Sequence, residues 1–135
     1  MVRQMMAIAA GYFSIVFLNG LIHVILSVYF NTDLSLAGIS HLPSLSWAVL
    51  FTAMQLLFGL FGGLLTATIA QNNQHIAILG FILLMVIISL INYSVLSMQE
   101  PLWYLITSPS LKIIGILAGY QLIQAQNKTH STSAQ

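Results

Sequence analysis

Residues 45–70 read LSWAVLFTAMQLLFGLFGGLLTATIA, a stretch without a single charged side chain. A helix needs about 20 apolar residues to cross a bilayer, and this run exceeds that. Ala48, Thr52, Gln55, Gly59, Gly62 and Thr66 recur in alternating steps of four and three, which keeps them on one helical stripe. Gly63, Ala67 and Ala70 widen it. Lipid tails give helices no hydrophobic reason to associate, so small residues that let backbones approach supply the contact. The stretch therefore reads as a membrane helix with one packing face.

Working outward, three further apolar segments appear at about 5–30, 76–98 and 102–124. NTDLSLAGISHLPS (31–44) is rich in turn and breaker residues, and QNNQH (71–75) and QEP (99–101) are short links. Short links place consecutive helices side by side and antiparallel. The expected fold is an all-α membrane protein with four transmembrane helices in an antiparallel up-down bundle. Residues 1–126 form its single domain, and the polar 127–135 are a disordered tail. Arg3 precedes an apolar run too long for a signal peptide, so a retained first span is expected.

Composition agrees. Of 135 residues, 59% are hydrophobic and 4% charged, against about 25% charged in soluble domains. With no Cys, a disulfide framework, a thiolate metal site and thiol redox chemistry are excluded. A net charge of +1, with no basic run, argues against nucleic acid. No phosphate loop, zinc spacing or nucleophile elbow occurs, so neither cofactor nor catalytic residue is expected. His23, His41, His75 and His130 share no helix face at ligand spacing, which leaves a zinc or haem site without its parts.

Arg3 and Lys128 flank the outer ends of spans one and four, whereas Asp33 and Glu100 fall on the other side. The positive-inside rule then puts both termini in the cytoplasm. Tyr29, Trp47, Trp103 and Tyr104 would sit at the outer boundary and Tyr120 near the inner one.

Span four repeats the packing stripe with Ser108, Lys112, Gly115 and Gly119, and span one carries Ala7, Gly11 and Ser14. The packing glycines are thus Gly11, Gly59, Gly62, Gly63, Gly115 and Gly119, with span three the most lipid-facing. By residue count, Asn19, His23, Gln55, Asn92 and Lys112 lie at similar depth in the outer half. Two readings stay open for them. They are glue between helices, with bonds worth about 0.6 kcal/mol each, or they line a ligand pocket or pore. A central Lys costs about 2.5–3.5 kcal/mol to insert, which the Leu and Ile of its span repay with about 3–6. Lys112 is read either as the floor of an outward pocket for an anion or headgroup, or as a snorkelling lysine near a helix starting at Pro109.

GLFGGLLTATIAQ (59–71), PLWY (101–104) and GILAGYQLI (115–123) resemble small four-span bacterial inner-membrane proteins without assigned activity. That resemblance implies the four-helix fold and the inner membrane, and it implies nothing for Lys112. Small multidrug-resistance transporters are similar in span count but need a Glu in the first span, where this chain has none. GGLLTAT faintly echoes the double-barrelled fluoride channels, whose Arg in the first span is missing here. The function expected is that of a small accessory or structural membrane protein with a modest outward-facing polar pocket, and not an enzyme. The alternative is a channel or transporter for an anionic or neutral solute, lined by the five polar residues. Expected partners are membrane lipids, a membrane protein or a second copy of the chain.

Overall fold

A computed structural model describes residues 1–31, 39 and 42–134. Among the described residues there is no strand. Four α-helices follow in order: α1 (Val2–Phe30), α2 (Leu45–Ala70), α3 (Gln74–Leu96) and α4 (Leu102–Ser133). A single 3-10 turn, Gln71–Asn73, joins α2 to α3. Three helical stretches are long and apolar enough to cross a membrane: Val2–Phe30, Leu45–Leu96 and Leu102–Ser133. Their outward faces carry Phe13, Phe17, Leu79, Leu83, Leu90, Leu117 and Leu122, all exposed. Water would not solvate so much apolar surface, whereas lipid does.

The helix ends follow local chemistry. α1 stops where Asn31 takes the left-handed conformation at φ 52° and returns its N–H to the Ser27 and Val28 carbonyls. Ser44, the N-cap of α2, is extended, as the residue before a helix ordinarily is. Glu100 N–H bonds the Leu96 carbonyl at 3.0 Å and closes the link to Pro101, the residue before α4. Inside the helices, hydroxyls turn back on their own backbone. Thr52 donates to the Ala48 carbonyl at 2.7 Å, Thr66 to Gly62 at 2.9 Å and Ser89 to Met85 at 2.6 Å. Without water to bond, a hydroxyl in a dry helix satisfies itself this way.

Two readings from the sequence are corrected. Of the two readings of Lys112, the one with a helix starting at Pro109 does not form: α4 starts at Leu102 and runs through Pro109, with Ser108 buried against the neighbouring helices. Proline costs one backbone bond there, which apolar packing around the helix tolerates. α4 also continues through 127–133, the segment expected as a disordered tail, with Thr129 and Thr132 hydroxyls bonded to carbonyls one turn back. Residues 127–133 are exposed, so intrahelical hydrogen bonds hold this extension.

Helix packing rests on glycines and on a small apolar core. α2 and α4 run side by side in the same direction: a Cβ on Gly59 would lie 2.8 Å from Lys112 Cα, and one on Gly63 2.7 Å from Ile116 Cα. From the α4 side, a Cβ on Gly115 would lie 2.7 Å from the Leu60 nitrogen, and one on Gly119 2.8 Å from that of Leu64. The two backbones touch, with no side chain between them. α1 crosses the other flank of α2 in the opposite direction. There Thr66 Oγ1 donates to the Ala7 carbonyl at 3.2 Å, and Gly11 and Gly62 abut. Ile15, Phe58, Ala67, Ile78, Phe81, Met85 and Ile116 fill the space among the four helices. α3 contributes only Ala77, Ile78, Phe81 and Met85 as buried residues, and its second half is largely exposed.

Candidate functional site

The α1–α2 seam holds the polar layer. Asn19 and Gln55 face each other because the two helices pass in opposite directions with small residues between them. Gln55 Nε2 donates to Asn19 Oδ1 at 3.0 Å. Gln55 is 0% exposed, and its Oε1 has no hydrogen-bond partner among the described residues. One turn toward the end of α1, the buried His23 ring meets Phe51 edge-on, with centroids 4.7 Å apart. Asn19, His23 and Gln55 therefore occupy successive turns of one interface.

Lys112 comes close in level but from another helix. Its backbone lies against Gly59, one turn along α2 from Gln55. On α4 it stands between Gly115, which meets α2, and Ile116, which enters the core. A helical side chain leans toward its own N-terminus, and α4 parallels α2, so the lysine stem leans toward the level of Gln55 and Ser108. Lys112 is half-buried and forms no ion pair with a described residue. Asn92 is not part of this group. It lies on the exposed face of α3 near that helix's end. Lys112 on α4 thus sits on the seam that adjoins the Asn19–Gln55 bond, and neither its ammonium nor the Gln55 Oε1 has a hydrogen-bond partner among the described residues.

Three polar contacts had no signal in the sequence, since each joins residues far apart in the chain. Glu100, expected as a surface acid, is buried and accepts the Ile39 N–H at 2.9 Å. It ties the α3–α4 link to the α1–α2 link, and it sits beside the packed Ile39, Ala48, Phe51 and Tyr104. Glu100→Leu should release this tie. The expected result is faster amide exchange at Ile39 and a loss of about 1.5–3 kcal/mol, as for a hydrogen bond to a charged group. Unchanged exchange would show that the link is held otherwise. At the opposite end, Arg3 Nε donates to the Ile69 carbonyl at 2.8 Å, where α2 ends and a cation offsets the negative end of the helix dipole. There too the Tyr120 hydroxyl bonds His75 Nδ1 and receives the Gln124 amide.

Aromatic rings gather where α1 gives way to α2: Trp47 packs edge-on against Phe30 at 5.1 Å and near Tyr29 at 6.4 Å. Among the described residues no cluster of His and acidic side chains could hold a metal ion. Comparison with protein families, with characterised proteins and with solved structures finds no match for this chain.

Proposed function

We propose that this chain is a multi-pass protein of a bacterial inner membrane, crossing four times with both termini in the cytoplasm. We further propose that it serves as a small accessory or structural subunit without enzymatic activity. The observation that carries the role is the Gln55–Asn19 bond beside the glycine seam of α2 and α4. Polar side chains that bond across an interface, and backbones in contact, favour a packed scaffold over a conduit. The orientation is supported by Arg3 and Lys128 at one end and by Glu100 and the aromatic cluster at the other.

A second reading, a small channel or transporter for a neutral or anionic solute, draws on Lys112 and the Gln55 oxygen, which have no partner among the described residues. Two measurements test these readings. Reporter fusions at each terminus should be active only in the cytoplasm, and periplasmic activity at either would overturn the topology. Purified protein in liposomes should pass chloride and glycerol no faster than empty vesicles. Flux lost on Lys112→Met would instead establish the conduit.

A further inference from the structure

α3 and α4 part from each other in the half of the molecule nearest Pro101. α3 buries Ala77, Ile78, Phe81 and Met85, whereas the six residues from Leu90 to Val95 are all exposed. A gap of about 270 Å3 opens between the two helices there. Val86, Leu90 and Tyr93 wall it on one side, and Leu105, Ile106 and Pro109 on the other. No residue lining it carries a charge. Pro109 gives this apolar gap a polar point. Proline has no N–H, so the Leu105 carbonyl, four residues back, loses its helical partner. Both residues line the gap, which puts the freed oxygen at its wall. In a membrane helix such a carbonyl is ordinarily satisfied by a hydroxyl or a neighbouring helix. Neither happens here. The serine hydroxyls of the two walls stay within their own helices, Ser89 on the Met85 carbonyl at 2.6 Å and Ser110 on that of Ile106 at 2.7 Å. Among the described residues no side chain donates to the Leu105 carbonyl. Pro109 lies about 10 Å along α4 from its start at Leu102, where the four-span arrangement has hydrocarbon rather than water.

We propose that the gap takes up a single-chain lipid alcohol from the bilayer, its chain between α3 and α4 and its hydroxyl donating to the Leu105 carbonyl. A neutral head is required, because the walls offer no counter-charge to an ammonium or a phosphate. The volume lies at the low end for small-molecule sites, which suits one chain. The inference rests on α3 and α4 crossing the membrane, as proposed above, and is independent of the accessory role. The test is the Leu105 carbonyl resonance of the full chain, labelled with carbonyl-13C leucine in phospholipid nanodiscs and assigned by its loss in Leu105→Ile. Dodecanol should move this resonance downfield in a saturable way, as a new hydrogen bond does. Dodecane, the same chain without the hydroxyl, should leave it in place. Pro109→Ala restores an N–H to the helix and removes its poorest helix former, so this variant folds. Its Leu105 carbonyl should stand downfield from the outset and should not respond to dodecanol. The reporter fusions at the termini test the membrane crossing separately. A wild-type resonance as far downfield as that of Pro109→Ala before any alcohol is added would mean that water already bonds the carbonyl. That result, an equal shift with dodecane, an equal shift in Pro109→Ala, or no shift at saturating dodecanol would overturn the proposal.

Discussion

Gly115→Ala is expected to cost about 3 kcal/mol of stability in detergent, the upper range for overpacking a tight interior. The new methyl would meet the Leu56 carbonyl and lie 2.7 Å from the Leu60 nitrogen, both backbone atoms. Backbone cannot turn aside as a side chain does, so α2 and α4 must separate along the whole seam. Gly62→Ala should cost less, because its nearest neighbours are Ile15 side-chain atoms at 2.9 Å, which can rotate. At Gly20 a Cβ would meet no described residue within 4 Å, so Gly20→Ala serves as the control. There alanine should be neutral or gain up to about 1 kcal/mol from helix propensity. Leu83→Ala, on the exposed face of α3, should also change little. Chemical unfolding of the four variants gives the order. If Gly115→Ala and Gly20→Ala unfold alike, the seam does not hold the helices.

Lys112→Met should have the largest effect in the opposite direction, a gain of about 2 kcal/mol. A charged side chain at mid-helix in a membrane carries about 2.5–3.5 kcal/mol of insertion cost, part of which snorkelling recovers. No described residue pairs with it, and methionine keeps the length of its stem. Lys128→Met, on an exposed stretch of α4, should be silent. A loss at position 112 would mean that the ammonium is held by something bound, as the floor of an outward pocket would be. Labelling separates the cases further, because the chain has no native cysteine. Lys112→Cys should react with an impermeant thiol reagent from outside only if water reaches that layer. Gain in stability with no labelling would leave the lysine a tolerated charge.

Helix, lipid and packing pattern were legible because they depend on local order. An uncharged run such as 45–70 must satisfy its backbone within itself, and apolar solvent leaves the helix as the way to do so. The small-residue stripe of α2 was visible as spacing. Which helix each glycine meets was not, since Gly59 and Gly63 turn to α4 while Gly62 turns to α1. Residues one position apart on a helix point about 100° apart, and only the placement of neighbours says what lies in each direction. The polar layer divides in the same way. Counting residues put Asn19, His23, Gln55, Asn92 and Lys112 at similar depth, but depth carries no azimuth. Packing brings Asn19 and Gln55 into a bond, sets Lys112 on the adjoining seam and leaves Asn92 exposed. The Glu100 tie to Ile39, the Arg3–Ile69 bond and the Tyr120–His75 pair join residues 45 or more positions apart. Such contacts follow from how whole helices pass one another. Local sequence therefore determined which segments are helical and apolar, while the tertiary structure alone decided which polar groups meet, because meeting requires two helices to agree in register and rotation at once.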